Sequence, residues 1–183
     1  MLFRSHTLLA LQQAARLTGD TRVRFAALVH DLGKAATPRE EWPRHREHEQ
    51  RGVPLVEELC QRYRVPGAFQ DLAILVTRHH LEVLRAMQLR VGMLVDMLEA
   101  VDAFRRPQRF ELFLLACEAD ARGRPGYEDR AYPQADYCRR AQGAAAAIEV
   151  QDLVTQGLAG KAMAAAIRER RIAAVRQVQG ASA

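Results

Sequence analysis

Apolar positions recur at helical spacing along almost the whole chain. Leu8, Leu9, Leu11, Ala14, Ala15 and Leu17 mark a first helix over 5–17, with Ser5 as its N-cap. Thr18-Gly19-Asp20 makes a turn, and a second helix runs from Thr21 to Leu32. The stretch from Lys34 to Arg51 is polar and holds Pro38, Trp42 and Pro43, so it reads as a loop over the mouth of a site. Further helices are predicted over 52–63, 68–80, 91–104, 110–121, 137–154 and 161–178. Breaks fall at Val65-Pro66-Gly67, at Arg105-Arg106-Pro107-Gln108-Arg109, at 122–133 and at Leu158-Ala159-Gly160. No stretch shows strand alternation. The expected fold is all-α, an irregular helical bundle.

Composition agrees with that pattern. Of 183 residues 49% are hydrophobic, aromatics are few, and Ala, Leu, Arg and Glu abound. No apolar run is long enough to span a membrane and no signal segment opens the chain, so a cytoplasmic protein is expected. Cys60, Cys117 and Cys138 are odd in number and each lies in helical pattern. Buried free thiols suit them better than a disulfide framework or a zinc knuckle. A net charge of +5 permits a polyanionic partner without requiring one. The arginines of the last helix (Arg168, Arg170, Arg171, Arg176) read as a solvated face.

The histidines change the picture. All six (His6, His30, His45, His48, His79, His80) fall in the first 80 residues. In the run FAALVHDLGK, His30 and Asp31 stand side by side where a helix ends, with Gly33 as the stop signal. Imidazole beside carboxylate is costly to bury for packing alone, but it suits a divalent cation. His6 on the first helix and one later carboxylate complete a four-ligand set. Asp102 and Asp120 each end an apolar helix and are the two candidates. His45 and His48 read equally as exposed loop residues or as walls of a site. Trp42 reads as a pin for its loop rather than a base stacker.

His6, then His30-Asp31, then a distal Asp resembles the H…HD…D signature of the HD-domain metal-dependent phosphohydrolases. HDLGKAATP, WPRH, EHEQRG, LCQRYRVP, DAFRRPQRF and EADARGR, in this order, also resemble the C-terminal half of the bacterial multifunctional CCA proteins. Those are tRNA nucleotidyltransferases with an appended HD domain. The resemblance implies an HD-type bundle, with an HD domain over 1–121, a helical extension over 122–178 and a disordered tail over 179–183. It implies a metal held by His6, His30, Asp31 and, ranked first by its interval from Asp31, Asp102. Lys34, His48 and His80 become catalytic candidates. Helical phase favours His79 and the family match favours His80. Arg105, Arg106, Arg109, Arg122 and Arg124 become RNA-contact candidates. Ni²⁺ or Mn²⁺ is favoured over Mg²⁺ for so many imidazoles, with Mg²⁺ left open by the family.

The implied activity is hydrolysis of 2′,3′-cyclic phosphodiesters and 2′-phosphates of nucleotides or RNA 3′ ends. A tRNA partner and a homodimer follow from the resemblance alone. The family's nucleotidyltransferase half has no counterpart in this sequence, so CCA addition is not expected, and the chain reads as a piece of a longer protein or a stand-alone relative. Two other readings stand beside this one: a tRNA-binding or dimerisation module with a vestigial site, and an HD-type nucleoside monophosphate phosphatase.

Overall fold

A computed structural model describes residues 2–180, with side chains from His6 onward. The described residues hold helices and no strand, so the all-α class stands. The order is α1 (Leu2–Leu17), α2 (Thr21–Val29), α3 (His48–Arg62), α4 (Gly67–Leu84), α5 (Val91–Ala100), α6 (Pro107–Arg122), α7 (Pro133–Ala146), α8 (Gln151–Thr155) and α9 (Gly160–Gly180). Short 3-10 helices lie at Leu32–Ala36, Arg39–Glu41 and Ala86–Gln88. Since α1 begins at Leu2, Ser5 lies within it and is not its N-cap.

The chain forms two compact units, and they are not successive along the sequence. One comprises residues up to 84 with 108–132, and the other comprises 85–107 with 133 onward. This partition differs from the division expected at 121/122, because 85–107, expected in the first domain, groups with the C-terminal helices.

In the first unit α2 is a short helix with one buried face. Its Val23, Ala26, Ala27 and Val29 are inaccessible, and it lies against α1 and α4. Asp20 caps it, Oδ1 accepting the Arg22 N–H at 2.9 Å. The helix ends at His30, which keeps right-handed backbone and leads into the 3-10 helix that contains Gly33. Gly33 is therefore not the left-handed stop that the sequence suggests. A Cβ there would lie 1.8 Å from the His48 carbonyl oxygen and 2.6 Å from the Gly52 nitrogen. Glycine is needed because the start of α3 crosses this turn at backbone contact. The same crossing makes α3 begin at His48, four residues before the predicted start.

In the second unit α9 lies against α5 and α7. The arginines of α9 are not simply solvated. Arg168 donates Nε and a terminal N–H to Asp96 at 2.9 and 2.7 Å, and Arg171 pairs with Glu99 at 2.8 Å. Arg170 pairs with Asp152. The predicted helix 137–154 is interrupted after Ala146. The tail expected from 179 is helical through Gly180, and 181–183 lie outside the described residues.

The predicted helix 91–104 stops at Ala100, and the reason concerns Asp102. The Ala103 N–H reaches the Leu98 carbonyl at 2.9 Å, and the Asp102 N–H reaches that of Glu99 at 3.0 Å. This is a Schellman closure with Asp102 at its left-handed position, φ +58°. The exit from α5 explains the carboxylate there.

Candidate metal centre

Six side chains of the first unit converge. His6 comes from α1, His30 and Asp31 from the end of α2, His48 from the first residue of α3, His80 from α4 and Asp120 from the last turns of α6. All but His6, which is part-buried, are at most 6% exposed. Each imidazole is fixed from behind by the backbone. Nδ1 of His6 lies 2.8 Å from the Gly123 carbonyl, that of His30 2.8 Å from Ala27, that of His48 2.9 Å from His45 and that of His80 3.0 Å from Val76. A carbonyl only accepts, so in each ring Nδ1 carries the hydrogen and donates it. Nε2 is left to face the centre, the tautomer a metal ligand needs.

The Nε2 atoms meet two carboxylates. Asp120 Oδ1 lies 2.9 Å from His6 and 3.3 Å from His30. Asp31 faces both ways: Oδ2 lies 3.4 Å from His30 and 3.7 Å from His6, whereas Oδ1 lies 3.2 Å from His48 and 4.0 Å from His80. The Lys34 ammonium donates to Asp31 Oδ2 at 2.5 Å.

Electrostatics mark the centre as a place that wants positive charge. Burial disfavours protonation of His30, but the Asp120 carboxylate against it, reinforced by Asp31, raises it to about 9. Burial pushes the Asp31 carboxyl up, yet contact with His48 and the charges of His30 and Lys34 hold it well below the usual range. Asp120 is likewise held low despite burial, by His30 and then His6. His80 is pushed down to about 4 by burial and by the charge of His30, so it stays neutral.

The donor set fits a cation. His30 Nε2, His48 Nε2 and Asp31 Oδ1 are buried without a hydrogen-bond partner. Such atoms are expensive to leave unmatched, and a metal ion satisfies imidazole lone pairs and carboxylates together. Candidate ligand atoms lie within 4.8 Å of one another in three overlapping sets: His6, His30 and Asp31; His30, His80 and Asp120; Asp31, His48 and His80.

The structure separates the other predicted site residues. Asp102, the favoured fourth ligand, belongs to the second unit and accepts from Arg105 Nε at 2.7 Å, with Arg106 at 3.5 Å. The second carboxylate that faces His6 and His30 is that of Asp120. The neighbours held the signal: Asp102 has two arginines at helical reach, whereas Asp120 sits among Ala116, Cys117 and Ala119, all buried. His80 joins the cluster, and His79 turns away to Glu82 at 3.0 Å. His45 accepts from or donates to Thr37 Oγ1 at 2.5 Å and holds His48 through its carbonyl. Arg122 is engaged with Glu118 at 2.8 Å and with the Arg130 carbonyl. Arg109 is half-buried and Arg124 exposed. No residue pattern pointed to the Gly123 carbonyl. A Cβ at Gly123 would lie 2.7 Å from the backbone of Ala10, so glycine permits the approach that holds His6.

A fully buried His-Asp pair at a helix end, joined by a histidine from the first helix and an aspartate from a late one, defines a class. The HD domain family matches residues 3–110, and the chain belongs to it. Membership supports a metal-dependent phosphohydrolase. Over 95% of its length the chain is 55% identical to the multifunctional CCA protein of Thioalkalivibrio sulfidiphilus. Over 94% it is 57% identical to that of Nitrosococcus oceani, and over 93% it is 48% identical to that of Pseudomonas syringae pv. syringae. In each case the match spans 42% of the relative, the part that carries the HD domain. No solved structure matches the chain significantly.

Proposed function

We propose that the chain hydrolyses 2′,3′-cyclic phosphodiesters and 2′-phosphates of nucleotides or RNA 3′ ends, using a divalent cation held by His6, His30, Asp31 and Asp120. The observation that carries this reading is the set of four backbone-fixed imidazoles aiming Nε2 at two buried carboxylates. So nitrogen-rich a shell favours Ni²⁺ or Mn²⁺ over Mg²⁺, which prefers oxygen ligands. When bound, the cation supplies neutralisation of phosphoryl charge and a lowered pKa for water.

The chain's own residues do the rest. Lys34, at the rim and 23% exposed, is placed to bring positive charge to a phosphoryl oxygen. In the hydrolysis a water oxygen bonds to phosphorus, the bond from phosphorus to one ribose oxygen breaks, and that oxygen takes a proton. The proton comes from the attacking water by way of His48, whose Nε2 lone pair faces the centre and can take it and hand it on. His80 instead orients the Asp31 side of the centre. The similarity to multifunctional CCA proteins supports a tRNA end as one source of the phosphate.

The test is hydrolysis of 2′,3′-cyclic AMP by metal-stripped protein with Ni²⁺, Mn²⁺ or Mg²⁺ restored in turn. Activity should return with a transition metal and be lost in Asp31→Ala. Activity that survives metal removal, or that the Asp31 variant keeps, contradicts the proposal.

A further inference from the structure

The segment between Lys34 and His48 is bracketed by the centre at both ends. Lys34 pairs with Asp31, and His48 faces the same carboxylate. Between them stands Trp42, the only tryptophan of the chain. It does pin its loop, because Nε1 donates to the Thr37 carbonyl at 3.2 Å. Its ring is nevertheless 55% exposed. Exposing an indole on a well-anchored turn has no packing benefit. Its polar atom is spent inward and its apolar faces are left to solvent.

The surroundings suggest what covers it. Trp42 lines a groove of about 450 Å³ with Glu40, Glu41, Pro43, Arg44 and Arg46. Glu41 is engaged by Arg51 at 3.2 Å, which leaves the groove's exposed Arg44 and Arg46 against Glu40. An aromatic face among guanidinium groups matches a base joined to a phosphate. Trp42 is also linked to the centre through His45. The Trp42 ring lies 6.0 Å from that of His45, whose carbonyl holds His48.

We propose that Trp42 is a stacking platform for a nucleobase of the substrate, placed so that the base rests on the 37–46 loop while its phosphate lies among the histidines. This rests on the nucleotide reading above and adds a specificity element to it. The base belongs either to a free nucleoside 2′,3′-cyclic phosphate or to the end of an RNA.

The sole tryptophan makes the test direct. Metal-loaded protein is mixed rapidly with 2′,3′-cyclic AMP, with a short RNA ending in a 2′,3′-cyclic phosphate, or with inorganic phosphate, and indole emission is followed. Quenching by the nucleotide probes and not by phosphate is expected, and the probe that acts at lower concentration identifies the source. In steady-state assays Trp42→Ala should raise KM by about ten-fold with kcat nearly unchanged, and Trp42→Phe should recover most of the loss. Wild-type hydrolysis with no quenching and an unaltered KM in Trp42→Ala would overturn the platform alone. If the wild type hydrolyses neither probe with any metal, the phosphohydrolase reading falls, and emission decides the platform separately: quenching upholds it, and silence overturns it.

Discussion

Single atoms carry most of the account. The centre depends on backbone carbonyls that hold imidazoles and on two glycines: Gly123, whose own carbonyl holds His6, and Gly33, where the start of α3 crosses. In Gly33→Ala a methyl group would meet the His48 carbonyl oxygen at 1.8 Å, where rigid backbone cannot yield cheaply. We expect a loss of about 3 kcal/mol or more in denaturant titration, at the upper end for an overpacked site. An unchanged midpoint would contradict the packing described. Gly123→Ala would push the 123 carbonyl away from His6 and should weaken metal binding more than it weakens the fold. Equal metal affinity in that variant would show that the carbonyl does not position His6. His79 and His80 offer a matched pair. His80→Ala should weaken metal binding, whereas His79→Ala should leave it within about two-fold, since His79 is turned to Glu82. Much of this was legible: His6, His30, Asp31 and a choice between two aspartates came from residue type and order. The choice itself did not, because the interval from Asp31 says nothing about a Schellman closure at Asp102.

Among the elements, the helices were readable and their ends were not. Periodicity located all the long helices, since each buries one apolar face. It missed the first turn of α3, because His48, Glu49, Gln50 and Arg51 are polar and their burial is decided by the centre rather than by hydropathy. It also ran α5 on to Phe104, since the left-handed closure uses an Asp where a Gly would have been recognised. The last helix is tied to α5 through Arg171, which lies 3.9 Å over the Phe104 ring as well as on Glu99. Arg171→Ala should cost about 1–2 kcal/mol through lost stacking and pairing. Arg168→Ala, whose pair with Asp96 is more exposed, should cost less than about 1 kcal/mol. The reverse ranking in thermal melts would contradict this assignment. The thiols belong to the same scale. Cys60, Cys117 and Cys138 are buried and not in disulfides, and burial pushes Cys138 to about 12. A thiol-alkylating reagent should modify them only on unfolding, and fast reaction of the native chain would contradict their burial.

For the whole molecule, the chain is one HD-bearing portion of the architecture its relatives display, spanning 42% of each one compared. The expected division was a linear succession of domain and extension, but residues 85–107, with α5 and Asp102, group with the C-terminal helices before the chain returns to the first unit with α6 and Asp120. No window of sequence reveals such a return, because it is fixed by which apolar faces meet. The identity of the distal ligand therefore decides how the centre is built. Metal content and affinity, measured by titration calorimetry with Ni²⁺ or Mn²⁺ on wild type, Asp120→Ala and Asp102→Ala, test it most directly. Asp120→Ala should lose at least about ten-fold in affinity, as removal of a charged ligand from a buried site requires, while Asp102→Ala binds as the wild type does. Full binding by Asp120→Ala, or loss of binding in Asp102→Ala, would contradict the account.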